Sequence, residues 1–233
     1  MMDLAETFDR FIASLLPQGA SADLAACLQP AARLLRVPRG GSAELPQDAA
    51  QYVWLALGSA KLVAHGAGQS GQVLQFHFAG DLVLVPACQS HNYSLVATTP
   101  CEMLAIPAAA LHDAVQDDGE LALALLERMA AELARARALS LTLGRKRAKE
   151  RLAAFLLSIR SRVRGLCSAD APIILPMSRR DIADHLAITV ESISREVGQL
   201  RGERLIDTPA RATVSVLDPH RLADRAGFLA GAA

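Results

Sequence analysis

The stretch Leu175-Pro-Met-Ser-Arg-Arg-Asp-Ile-Ala-Asp-His-Leu-Ala-Ile-Thr-Val-Glu-Ser-Ile-Ser-Arg-Glu-Val-Gly-Gln-Leu200 decides the fold of the C-terminal part. Ser178, followed three residues later by Asp181, is a capping-box pattern that opens a short helix with Ile182, Ala183 and Leu186 turned inward. Ala187-Ile188 makes a tight turn, and Thr189 caps a second helix whose Val190, Ile193, Val197 and Leu200 share one face. The opposite face presents Glu191, Ser194 and Arg195 at i, i+3 and i+4, near the helix N-terminus. In a helix-turn-helix this is where the second helix meets base edges in the major groove. Arg195 can donate twice to guanine O6 and N7, Glu191 can accept from cytosine N4, and Ser194 can serve either role. Phosphate contacts are expected from Arg179 and Arg180 and from the caps Ser178 and Thr189, because basic side chains and helix N-termini suit anions.

Just beyond this pair, Arg204-Leu-Ile-Asp207 and Ala212-Thr-Val-Ser-Val216, separated by Thr208-Pro-Ala-Arg211, read as a β-hairpin wing. The charge balance agrees with a nucleic-acid module at this end. The formal net charge of the 233 residues is zero, but residues 1–143 hold 8 Lys and Arg against 14 Asp and Glu, a net of −6. Residues 144–233 hold 16 against 10, a net of +6, which suits a polyanionic partner.

Towards the N-terminus the period changes. Short apolar runs at 33–37, 52–57, 60–64, 73–78, 81–85, 93–97 and 102–106 are separated by turn signals such as Pro38-Arg-Gly-Gly41, Gly58-Ser59, Gly80-Asp81 and Thr99-Pro100. They predict a small antiparallel β-roll or jelly roll. An amphipathic start (Leu4, Phe8, Phe11, Ile12, Leu15) and a second helix opening at Ser21 precede it. Residues 117–144 return to helix. There Leu126, Met129, Leu133, Ala136, Ser140 and Leu143 are spaced 3, 4, 3, 4, 3, a heptad stripe suited to pairing with a second copy. A second row, Leu121, Leu125 and Leu139, could face the roll. After the basic junction Gly144-Arg-Lys-Arg-Ala-Lys149, one more amphipathic helix (Leu152, Phe155, Leu156, Ile159, Val163) leads to the quoted stretch.

The expected class is therefore α+β: a β-roll sensory domain over 1–116, a dimerisation helix over 117–144 and a winged helix-turn-helix over 145–233. Composition excludes several alternatives. With 52% hydrophobic and 21% charged residues the chain is globular in type. Its acidic start lacks the basic flank of an export signal. The charge-free run Leu82–Cys101 contains Pro86, Gln89, Ser90, His91 and Asn92, which hydrocarbon would penalise. A cytoplasmic protein without a membrane partner is expected. Cys27, Cys88, Cys101 and Cys167 form no C-x-x-C pair and read as buried apolar side chains. An enzyme is not expected, because His77 lacks the His-x-His partner of a cupin metal site, and no Ser/His/Asp or HExxH arrangement occurs.

Taken together, these residues resemble the Crp/Fnr family of bacterial transcription regulators over nearly the whole chain. Glu191-x-x-Ser194-Arg195 is the most specific element, while Phe76-His-Phe-Ala-Gly-Asp-Leu82 and Ala148-Lys-Glu-Arg-Leu-Ala-Ala-Phe155 are similar to the Fnr and FixK branch. The resemblance implies a cyclic-nucleotide-binding-like roll, a homodimer, double-stranded DNA and RNA polymerase as partners, and a palindrome near TTGAT, four free base pairs, then ATCAA. It also implies that Arg195 reads the guanine, Glu191 the opposite strand and Ser194 a neighbouring thymine.

Two departures bear on the signal. The Gly-Glu pair that holds ribose in cyclic-nucleotide-binding members is replaced by Leu84-Val85, and no Arg, Lys, Asp or Glu occurs from Leu82 to Pro100. A buried cyclic phosphate there would lack a cation, so no nucleotide cofactor is expected. Only Cys27 lies in the first 87 residues, too few for the cysteine cluster of oxygen-sensing members. Haem through His77 or His91, and oxidation of Cys88 or Cys167, are the alternative routes to a signal.

Overall fold

The computed structural model describes residues 3–17, 22–66, 71–89, 91–116, 118–163, 172–210 and 212–227. The chain divides into two compact units, Met1–Ala134 and Arg135–Ala233. In the first lie α1 (Leu4–Leu15), α2 (Ala22–Leu28), β1 (Arg33–Val37), β2 (Gln51–Leu57), β3 (Ser59–His65), β4 (Gly71–Phe78), β5 (Leu82–Val85), β6 (Asn92–Ala97), β7 (Cys101–Pro107) and α3 (Ala108–Gln116). The long helix α4 (Gly119–Arg145) begins in the first unit and ends in the second. The second unit continues with α5 (Ala148–Val163), β8 (Ile173–Ile174), α6 (Arg179–Leu186), α7 (Val190–Gly202), β9 (Ile206–Ala210), β10 (Thr213–Val216) and α8 (Pro219–Ala226).

The first unit is the expected roll, a four-stranded sheet in the order β1-β7-β2-β5 and a three-stranded one in the order β4-β3-β6, with antiparallel pairing throughout. Strand β2 shows how the sequence specifies it. Its alternate residues Val53 and Leu55 join Leu95, Met103 and Ala105 inside the roll. Tyr52, Trp54 and Ala56 point the other way, into a second core with Phe8, Phe11, Leu104, Leu111 and Leu121. Because both faces are covered, the strand is apolar from Tyr52 to Leu57 rather than alternating with polar residues. At its end Gly58 takes φ +88°, and a Cβ there would stand 2.3 Å from the Pro100 carbonyl oxygen, so only glycine fits the turn into β3.

Helix α4 meets the roll along its first turns. Leu121 and Leu125 are buried in the helix-side core, as the second apolar row anticipates. Arg128 donates to the carbonyls of Gly80 (2.9 Å) and Ser14 (2.6 Å), and Gln75 donates to the Glu132 carboxylate at 2.7 Å.

Four elements differ from the sequence reading. α3 was not anticipated, since its alanine-rich sequence carries only Leu111 as a large buried residue, with Ala108 and Ala114. β8, two residues long, joins the wing as a third strand in the order β8-β10-β9. The first wing strand runs Ile206–Ala210 instead of starting at Arg204, because Arg204 takes the left-handed conformation (φ 56°) that ends the preceding helix. α8, also unforeseen, is announced by Asp218-Pro219 and closed by Gly227. The Asp218 side chain caps the Arg221 amide at 3.0 Å, and Gly227 adopts φ 66°.

The expectation of four buried cysteines is corrected. Cys101 is buried, its thiol donating to the Ser59 carbonyl at 3.1 Å, and burial pushes its pKa up. Cys27 is exposed on α2 and Cys88 in the loop between β5 and β6. Cys167 lies outside the described residues.

Candidate nucleic-acid interface

The quoted stretch folds as a helix-turn-helix whose corner is set by three local devices. At the start of α6 the full capping box forms. The Asp181 amide donates to Ser178 Oγ (3.1 Å) and the Ser178 amide donates to the Asp181 carboxylate (2.9 Å). α6 ends at Ala187 in the left-handed region (φ 51°, ψ 49°), with the Ile188 amide donating to the Ala183 carbonyl at 3.0 Å. Thr189 then caps α7, accepting from the Ser192 amide at 3.2 Å.

These caps aim α7 so that Ile193 and Leu200 are buried at 1% exposure while Glu191, Ser194 and Arg195 are exposed together. Val190, expected on the buried face, is 38% exposed, and Glu196 takes its place inside at 6%. The reason is geometric: position 196 lies three residues beyond Ile193 and four before Leu200, at the centre of the buried face, whereas Val190 stands in the first turn, at its end.

Ser178, Arg179, Arg180 and Thr189 are all exposed. Arg179 joins the reader face directly, its guanidinium donating to Ser194 Oγ at 3.2 Å across the two helices. Arg195 reaches Ser192 Oγ with Nη2 at 3.5 Å and the Glu196 carboxylate with Nε at 3.5 Å. The Glu191 carboxyl sits below its usual range, held ionised by its own backbone amide at the helix N-terminus and by the Thr189 hydroxyl. It is therefore an acceptor, as a partner for cytosine N4 must be.

A residue with no sequence signal holds the corner. Arg151 of α5 donates to the carbonyls of Leu143 (2.9 Å), Lys146 (2.9 Å), Leu186 (2.8 Å) and Ala187 (3.2 Å), satisfying C-terminal groups of both α4 and α6. Nearby, Lys146 donates to the Ala226 carbonyl of α8, and burial lowers its pKa.

The stripe on α4 is mostly open. Leu126 and Leu133 are 66% and 50% exposed, and Ala136 is exposed as well. Met129 is half-buried against the helix-side core, and Leu143 is half-buried. Leu123 and Leu141, both 58% exposed, add to the apolar surface and fall outside the heptad spacing.

In the roll, Leu84, Pro86, Ala87, Gln89, His91 and Tyr93 wall an open cavity of about 280 Å³, with no Lys or Arg among its lining residues. His77 is 1% exposed, with Nδ1 3.6 Å from Glu132 and 3.8 Å from Asp81, so polypeptide carboxylates occupy its surroundings. His91 is exposed beside this cavity. Among the described residues no helix is long and apolar enough to cross a membrane.

Residues 150–225 match the family model of the Crp-like helix-turn-helix domain. The chain is 34% identical over 154 residues to the nitrogen fixation regulation protein FixK of Bradyrhizobium diazoefficiens, a match spanning 65% of this chain and 63% of that protein. It is 32% identical over 160 residues to the transcriptional activator protein FnrL of Cereibacter sphaeroides, spanning 67% of this chain and 64% of the relative. These matches cover somewhat less than two thirds of the curated relatives' own length. Among solved structures, FixK2 of Bradyrhizobium japonicum superposes with a TM-score of 0.72 at 28% identity, over 86% of this chain and 99% of that one. A mutant of CooA from Carboxydothermus hydrogenoformans, at 15% identity and a TM-score of 0.72 over 92% of this chain and 95% of that one, shares the fold. With a roll, a long helix and a capped helix-turn-helix matching these relatives in sequence and shape, the chain belongs to the Crp/Fnr family, in its FixK-like branch.

Proposed function

We propose that this chain is a sequence-specific, DNA-binding transcription regulator that works as a homodimer on a TTGAT-N4-ATCAA-like palindrome without a cyclic nucleotide. One observation carries the reading: Glu191, Ser194 and Arg195 stand exposed together on the first turns of a helix aimed by two caps. An ionised acceptor, a hydroxyl and a bidentate donor on one face are what discrimination between base pairs requires. The names of FixK and FnrL, a regulator and an activator, point the same way.

Dimerisation is supported by α4, where a run of exposed leucines would be costly in water without a partner. Independence from cyclic nucleotide is supported by a roll cavity lined by no arginine or lysine. RNA polymerase is the partner through which such a regulator acts. Control by thiol oxidation is supported by the exposure of Cys88. The test is a titration of reduced, metal-free protein against the palindrome and against a scrambled duplex of equal length. Tight binding to the palindrome alone is expected. Equal affinity for both duplexes would overturn the reading.

A further inference from the structure

We infer that Glu196 is a positioning residue for Arg195 and, through it, a determinant of base selectivity; this rests on the base-reading role proposed above for Arg195. Glu196 lies on the buried side of α7, where a carboxylate is costly and an apolar residue would pack at no such penalty. Its ion-pair partner is Arg195, whose Nε lies 3.5 Å from Glu196 Oε1. Adjacent residues on a helix do not ordinarily face one another. Here the two long side chains nevertheless meet, the acid 8% and the arginine 62% exposed.

The contact has a directional consequence. A guanidinium can dock on guanine by its Nη1/Nη2 edge or by its Nε/Nη2 edge, both bidentate. With the Glu196 carboxylate 3.5 Å from Nε, negative charge stands beside the Nε/Nη2 edge, and the Nη1/Nη2 edge is the more open one for a ligand. The other contact, Nη2 to Ser192 Oγ at 3.5 Å, is long and readily exchanged for a base acceptor. The carboxylate also adds negative charge where a DNA phosphate would compete for Arg195. Glu196 therefore favours the base-facing arrangement of Arg195 over a phosphate-facing one, which carries no sequence information.

The experiment compares wild type, Glu196→Gln and Glu196→Leu on a library of half-sites substituted at each base pair, at several salt concentrations. Both variants should lose about three- to tenfold of the preference at the guanine read by Arg195, the range expected for coupled neighbours, while preferences elsewhere in the half-site stay unchanged. The salt dependence should steepen by up to about one unit as Arg195 turns to phosphate. Glu196→Leu should be at least as heat-stable as wild type, separating a selectivity role from a structural one. Guanine preference kept in either folded variant, or an equal loss at every base pair, would overturn the proposal. So would failure of both variants to fold. A wild type with no base preference would overturn the DNA reading itself and this inference with it.

Discussion

The roll and the helix-turn-helix treat their polar side chains in opposite ways. In the roll they are spent on the protein itself. Ser59 Oγ and Thr98 Oγ1 lie 2.7 Å apart, Thr98 Oγ1 donates to the Ser59 carbonyl at 3.0 Å, and Asp81 accepts the Phe78 amide at 2.7 Å. On the reader face the contacts are long: 3.2 Å from Arg179 to Ser194, 3.5 Å from Arg195 to Ser192, both exposed. A group already well bonded gains little from a ligand, whereas one held loosely in place can exchange its contact for a better one without first being ordered. The difference teaches that the polar side chains held loosely enough to meet a ligand stand on the reader face of the second unit, whereas those quoted from the roll are already bonded within it.

The sharpest way to break that division is at the helix that begins in one unit and ends in the other. Leu133→Glu places a charge in the exposed apolar stripe of α4, and two such charges would face each other in a symmetric pair. Sedimentation should show monomers, and affinity for the palindrome should fall by about 10²–10⁴, the avidity of two linked half-site contacts. A dimer that survives would move the interface elsewhere. Next in size, Phe11→Ala should cost the first unit about 3–5 kcal/mol, because Phe11 is fully buried and packs 5.9 Å from the Trp54 ring. Calorimetry measures the loss. Base preference assayed well below the melting point should not change, since the reader residues belong to the second unit.

How much of each unit was legible follows from the length scale of its signals. The roll strands were readable because Gly58, Gly80 and the Thr99-Pro100 pair punctuate short apolar runs, and the reader helix because Ser178, Asp181 and Thr189 are local caps. What escaped depends on distance in the chain. Arg151 serves Leu186 and Ala187, 35 and 36 residues away, and nothing around it in sequence marks that role. Glu196 escaped for another reason: hydropathy assigns a glutamate to solvent, while helical geometry puts position 196 between Ile193 and Leu200. α8 was missed although Asp218-Pro219 and Gly227 form its cap and stop, because these carry meaning only once a helix is sought there.

Within the second unit, base and phosphate contacts should separate. Arg195→Ala should cost roughly 1–3 kcal/mol per half-site and relax the preference at one base pair, read by binding to substituted half-sites. Arg180→Ala, on the exposed start of α6, should weaken binding to every sequence alike and lower the salt slope by about one unit. A base-specific loss from Arg180→Ala would place that side chain among the readers.

The smallest effect expected is that of cyclic AMP, and it tests the roll's half of the comparison. A ligand shifts an equilibrium only by the difference in its affinity for the two states, so one that finds no site shifts nothing. The roll cavity is walled by Leu84, Pro86, Ala87, Tyr93 and their neighbours, with Gln89 and His91 as its polar side chains. From Leu82 to Pro100 no arginine or lysine is present to meet a phosphate, and a desolvated phosphate without a cation is strongly disfavoured. Adding cyclic AMP at millimolar concentration should therefore leave both the melting temperature and the palindrome affinity unchanged, measured by calorimetry and by titration on the same preparation. Occupancy at 100 times the dissociation constant would stabilise the fold by about 2.7 kcal/mol, well within reach of that measurement. A rise of that size would mean that backbone amides or residues outside this cavity hold the phosphate, and the first unit would then carry a ligand-binding chemistry of its own.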